Sequence, residues 1–118
     1  MSKSIGLYLH IPFCKSKCPY CDFYSTRAGE TEYSDYVFAL KEKIKYWSKR
    51  FDGTVKTVYI GGGTPSVLGS DMLCDILSSV KENFTLESNA EITVEVNPDS
   101  GKKLDFALMK STGFNRLS

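Results

Sequence analysis

Ile5-Gly6-Leu7-Tyr8-Leu9-His10-Ile11 alternates an aliphatic face with a polar and aromatic one. It runs directly into Pro12-Phe13-Cys14-Lys15-Ser16-Lys17-Cys18-Pro19-Tyr20-Cys21. Ile5, Leu7, Leu9 and Ile11 point one way and Gly6, Tyr8 and His10 the other, the period of a β-strand whose two faces meet different surroundings. A proline and three cysteines at its C-terminal end place a chemically unusual loop where that strand stops. The rest of the chain repeats this plan.

After the loop, Tyr33, Val37, Leu40, Ile44, Trp47 and Phe51 recur at spacings of 4, 3, 4, 3 and 4, one apolar stripe of an amphipathic helix ended by Asp52-Gly53. Val55 to Ile60 is a β-branched and aromatic run, broken by Gly61-Gly62-Gly63-Thr64-Pro65. Ser70 and Asp71 read as N-cap and first-turn acid of a second helix, with Leu73, Leu77, Val80 and Phe84 as its buried stripe. Residues 91 to 97 predict a third strand, with Ile92, Val94 and Val96 on one face and Glu91, Thr93, Glu95 and Asn97 on the other. A third helix is expected from about Lys102 to Ser111, with Gly113 just past its end. Phe114 to Ser118 begins a fourth strand.

Strands alternating with helices call for a parallel sheet covered by helices. A polar strand face inside such a domain points to a barrel lumen or ligand cleft, and ligands of parallel α/β folds sit at the C-terminal strand ends. The cysteine loop, the glycine run and Glu95-Val96-Asn97-Pro98 all lie at such ends. The third strand is expected to leave an exposed apolar edge.

Composition narrows the function classes. Of 118 residues 42% are hydrophobic, enough for a core and against intrinsic disorder. Lys plus Arg is 15 and Asp plus Glu 14, a formal charge of +1 that provides no overall basic field for nucleic acid. No targeting segment or transmembrane run of ~20 apolar residues is present, so the expected location is the cytoplasm, where thiols stay reduced.

Cys14, Cys18 and Cys21 form a C-x3-C-x2-C run, too closely spaced for comfortable disulfides. Three thiolates on one loop can hold three irons of a [4Fe–4S] cube and leave the fourth open to a substrate or cofactor. On the residues alone a zinc site with His10 as fourth ligand stays open. Cys74, on the apolar side of the second helix, reads as a buried small hydrophobe.

Tyr8-Leu9-His10-Ile11-Pro12-Phe13-Cys14, the cysteine run, Gly61-Gly62-Gly63-Thr64-Pro65-Ser66, Glu95-Val96-Asn97-Pro98 and Gly113-Phe114-Asn115-Arg116-Leu117-Ser118 occur in that order. Together they resemble the radical S-adenosylmethionine (SAM) superfamily, more narrowly the oxygen-independent coproporphyrinogen III oxidase family. The resemblance implies the N-terminal half of a partial (β/α)6 TIM-like barrel, with residues 1–118 an incomplete part of the radical SAM core domain and a cluster loop at 12–24. It further implies a [4Fe–4S] cluster on Cys14, Cys18 and Cys21 and SAM on its open iron. Tyr8, Tyr20, Gly62, Gly63, Thr64 and Glu95 match SAM-contacting positions; His10 belongs to the same signature with no role assigned. A reductant supplies the electron by which this family cleaves SAM.

Phe23 stands where the oxidase branch carries one more cysteine, and Cys21-Asp22-Phe23 is similar to the haem-chaperone branch instead. That likeness implies a protein that binds haem in its full length and passes it to acceptor proteins. The alternative is the oxidase itself, decarboxylating propionates of a porphyrinogen; the remote alternative is a zinc-bound interaction module. Whether the chain is an enzyme is left open by the residues.

Overall fold

In the computed structural model, which describes residues 3–13, 30–97 and 104–118, four parallel strands form one sheet in the order in which they occur in the chain. They are β1 (Lys3–Ile11), β2 (Gly53–Gly62), β3 (Thr85–Val94) and β4 (Arg116–Leu117). Helices α1 (Glu30–Ser48), α2 (Gly69–Asn83) and α3 (Phe106–Thr112) alternate with them, and a 3-10 turn over Pro65–Leu68 leads into α2. This is the expected parallel α/β order. No helix among the described residues is long and apolar enough to cross a membrane.

The aliphatic strand faces and the helix stripes make one core. Leu9, Ile11, Val55, Val58, Ile60, Ile92 and Val94 are buried against Val37, Leu40 and Ile44 of α1 and Leu73, Ile76, Leu77 and Val80 of α2. Each such side chain taken fully from water contributes about 1.5–3 kcal/mol. Cys74 is a free, buried cysteine in this core, as its place on the apolar side of the helix predicts. Lys41 Nζ donates to both oxygens of Asp75 at 3.0 Å and links α1 to α2 at the surface.

Several local expectations are corrected. The first helix stops at Ser48, so Phe51 lies beyond it and packs on Phe84 at 6.3 Å. Trp47 is 59% exposed and lines a surface cavity with Leu7, Leu9, Ile44 and Phe84 instead of entering the core. Gly61 and Gly62 extend β2 rather than break it. Helix α2 starts at Gly69 with no side-chain cap, since the 3-10 turn feeds it directly; Ser70 Oγ instead accepts from the Asp105 N–H. The third helix starts later than expected, with Asp105 Oδ1 accepting from the Leu108 N–H at 3.0 Å, and Lys102 lies outside the described residues.

The third strand is longer and better covered than its sequence suggests. Thr85 and Leu86 already pair with Thr54 and Val55, and a register shift follows before Glu91 pairs with Thr57. Its far edge is covered over residues 90–96 rather than bare. Thr93 and Val94 pair with Arg116 and Leu117, and the Asn115 side chain continues the ladder, accepting from Ile92 N–H at 2.8 Å and donating to Ala90 O at 2.9 Å. A carboxamide carries the same donor and acceptor as a peptide group, so one side chain stands in for a strand residue.

At the opposite end of the sheet from the cysteine loop, Ser4 Oγ and Thr54 Oγ1 both donate to Glu87 Oε2, the latter at 2.8 Å. These hydrogen bonds, from Ser4 and then Thr54, with the charge of Lys56, hold the Glu87 carboxyl below its ordinary value of 4.5. A carboxyl lowered in the folded state stabilises above its unfolded pKa and loses that contribution as pH falls through the folded one. Urea unfolding should therefore show stability declining below about pH 4.5, and Glu87→Gln should flatten part of that decline. An identical acid limb in the variant would remove Glu87 as a cause.

Candidate functional site

Parallel pairing sets the inward side chains in rows across the sheet, because Cα partners in register point to the same face. Tyr8 pairs with Tyr59, Tyr59 with Thr93, and Thr93 with Arg116, one row across four strands. The row above, at the C-terminal strand ends, begins with His10 opposite Gly61 and continues to Glu95, whose N–H donates to Ile60 O at 2.9 Å. Ser118 N–H donates to Val94 O, and Val96 N–H to Ser118 O, both at 3.0 Å. The polar face inferred from the strand pattern thus forms one continuous surface.

Glu95 is the best-held charge on that surface. Its Oε2 accepts from Tyr59 OH at 2.7 Å and its Oε1 from the Gly62 N–H at 3.0 Å. The Tyr59 ring stacks on Tyr8 at 5.9 Å, and Tyr8 OH lies 3.2 Å from His10 Nδ1. Tyr36 OH donates to the His10 carbonyl, tying α1 to the end of β1. Burial, then the neighbouring Tyr8, pushes the Tyr36 phenol above its ordinary value, which keeps it a donor.

The backbone donors of the glycine segment are engaged within the chain. The N–H groups of Gly62, Gly63 and Thr64 donate within the chain, to Glu95, to Ile11 O at 2.8 Å and to Phe13 O at 2.6 Å. This segment also engages its Thr64 carbonyl, which accepts from the Val67 N–H at 3.0 Å. Its lack of side chains serves the chain's own packing: a Cβ at Gly61 would lie 2.8 Å from Tyr59 Cε1 and 3.0 Å from the Glu95 carboxyl carbon.

The same contacts locate the start of the cysteine loop. Thr64 holds Phe13 by its backbone, and the Phe13 ring meets Tyr33 and Tyr36 of α1 edge-on at 4.8 and 5.4 Å. Residue 13 precedes Cys14, so the loop leaves the sheet beside the glycine segment and Glu95. Cys14, Cys18, Cys21, Tyr20 and Phe23 themselves lie outside the described residues. Of the other expected contacts, the structure brings Tyr8, Gly62, Gly63, Thr64 and Glu95 together at one end of the sheet.

Comparison with known proteins agrees with this architecture. The radical SAM superfamily profile matches residues 8–118. The chain belongs to the radical SAM superfamily. It is 38% identical over 117 residues to the heme chaperone HemW of Mycobacterium tuberculosis (strain CDC 1551 / Oshkosh), covering 96% of this chain and 30% of that protein. It is 40% identical over 116 residues to the HemW of Escherichia coli (strain K12), covering 97% of this chain and 31% of that protein. Among solved structures it is similar to the coproporphyrinogen III oxidase HemN from Escherichia coli, described as a radical SAM enzyme. There the TM-score is 0.83 and the identity 29%, over 98% of this chain and 27% of that one. The chain spans about 30% of the length of the curated relatives it matches. Radical SAM proteins as a class use SAM and a [4Fe–4S] cluster, and this chain's parallel sheet is that part of the HemN radical SAM fold.

Tyr59 was missed as a site residue. Its signal is parity: it lies two residues before Gly61, between Val58 and Ile60, both buried on the helix side. Tyr36 had no such signal, because its hydroxyl bond to the His10 carbonyl arises only from packing.

Proposed function

We propose that residues 1–118 form part of a radical SAM core, with Cys14, Cys18 and Cys21 holding a [4Fe–4S] cluster. SAM would lie against Tyr8, Tyr20, Gly62, Gly63, Thr64 and Glu95. The observation that carries this reading is the Thr64–Phe13 backbone bond, which starts the cysteine loop next to the glycine segment and the doubly held Glu95. Three thiolates are the soft donor set that iron–sulfur clusters take. The sheet end at Phe13 combines a carboxylate with exposed Gly62 and Gly63 and the 58%-exposed Tyr8. An amino-acid sulfonium ligand fits that mixture: the carboxylate can accept from its ammonium group, and the tyrosines can pack against its rings.

When bound, a reduced cluster supplies the electron that cleaves SAM. The residues described here contribute position. Glu95 stays where Tyr59 and Gly62 hold it, and the Phe13–Tyr33–Tyr36 contacts fix the entry of the loop.

For the whole protein we favour a haem chaperone that passes haem to acceptor proteins over a porphyrinogen-decarboxylating oxidase. Phe23 in place of a further cysteine supports this, as does 38–40% identity to proteins named heme chaperone HemW against 29% to HemN. The test combines two assays on the anaerobically reconstituted full-length protein. Haem titration followed by absorbance should saturate near one haem per chain, and incubation with coproporphyrinogen III, SAM and a reductant should leave the porphyrin side chains intact. Decarboxylated product would reverse the preference in favour of the oxidase.

A further inference from the structure

We infer that Tyr59 is the positioning residue for Glu95, holding its carboxylate ready for SAM before the ligand arrives. The inference rests on the proposed SAM contact of Glu95. Tyr59 belongs to none of the motifs that carry the family resemblance, and its hydroxyl is unnecessary for packing, since the ring alone makes the stack on Tyr8. That hydroxyl donates to Glu95 Oε2 at 2.7 Å and lies 3.4 Å from Ser118 Oγ.

The geometry assigns each donor a distinct job. Gly62 N–H holds Oε1 at 3.0 Å from the backbone, which leaves the carboxyl free to swing about that single anchor. A second donor on the other oxygen, reaching across from β2, removes that freedom. Glutamate has one of the larger side-chain entropies, and a side chain already ordered loses less on binding. Gly61 completes the device. It lies between the two side chains, and a Cβ there would be 2.8 Å from the Tyr59 ring and 3.0 Å from the Glu95 carboxyl. Glycine at this position makes room for the tyrosine–glutamate contact itself.

The test is a double-mutant cycle on the full-length protein with its cluster reconstituted anaerobically, reading the SAM dissociation constant by equilibrium dialysis. Tyr59→Phe should weaken SAM binding about three- to tenfold, with iron content unchanged and the fold retained because the ring remains. Glu95→Ala should weaken it further. Adding Tyr59→Phe to Glu95→Ala should then cost less than about twofold, since nothing is left to position. Equal losses in both backgrounds would show that Tyr59 acts elsewhere, and no loss in the single variant would show that Gly62 alone suffices; either overturns the inference. If Tyr59→Phe fails while the parent binds SAM and Glu95→Ala does not, the proposed function stands without it. A parent protein that binds no SAM overturns both.

Discussion

Replacing any one of Cys14, Cys18 or Cys21 by alanine should take the reconstituted protein from about four irons per chain to background, while Cys74→Ala should leave the iron unchanged. The contrast follows from what each thiol can reach. Three cysteines share one loop whose entry is fixed at Phe13, by the backbone of Thr64 and the rings of Tyr33 and Tyr36. Cys74 is packed into the hydrophobic core with Leu73, Ile76 and Leu77 of α2, where it is only 8% exposed. Three thiolates are the minimum that holds a cube with one open iron, so losing one removes a third of the protein's ligands. Iron and sulfide analysis with EPR of the reduced sample reads the outcome directly. Full iron in any single loop variant would refute the ligand set, and one tightly bound zinc per chain with no cubane signal would restore the zinc reading.

A Gly62→Ala substitution should destabilise the fold by about 3 kcal/mol, the sum of two separate costs. Gly62 has φ +122°, a region that side-chain-bearing residues rarely occupy. In addition, a Cβ there would come within 2.6 Å of the Ile11 carbonyl oxygen and 2.8 Å of the His10 ring. The His10 side chain can turn away, but the Ile11 carbonyl cannot, since Ile11 pairs with Gly62 and its oxygen accepts from the Gly63 N–H. Relief requires opening the end of the β1–β2 ladder. Gly69→Ala is the control: its φ is +85° with no atom within 4 Å of the added carbon, so it carries only the conformational cost, about 1–2 kcal/mol. Urea midpoints of the two variants separate strain from clash. Equal losses would show that the clash at Gly62 costs nothing.

Much of this architecture is legible in residue order because its signals are local. The alternation in Ile5–Ile11 and the stripe through Val37, Leu40 and Ile44 report which faces are buried, and these faces did form the core. Gly113 shows the same legibility at a helix end: its φ of +137° suits glycine, and its N–H donates to the Met109 and Lys110 carbonyls. Boundaries were less legible. Ser70 carries an N-cap signature, yet the preceding 3-10 turn already supplies the first turn and leaves Ser70 to bind Asp105. The extra strand residues Thr85 and Leu86 exist because β2 offers them partners, which a window of sequence does not contain.

The sequence by itself determined the parallel alternation of strands and helices, the thiolate run and the family, because periodicity, composition and ordered motifs are properties of the chain read along its length. Only the tertiary structure decided how the pieces of the site meet. That Tyr59 and Gly62 share Glu95, that the glycine N–H groups turn inward and that Thr64 anchors Phe13 all depend on register between strands far apart in the chain. Register is set by the joint packing of the two sheet faces, and a one-residue slip would turn Tyr59 toward the helices. Motifs can therefore name the residues of such a site, while the donors and acceptors each has left for a ligand emerge only when the strands are in place.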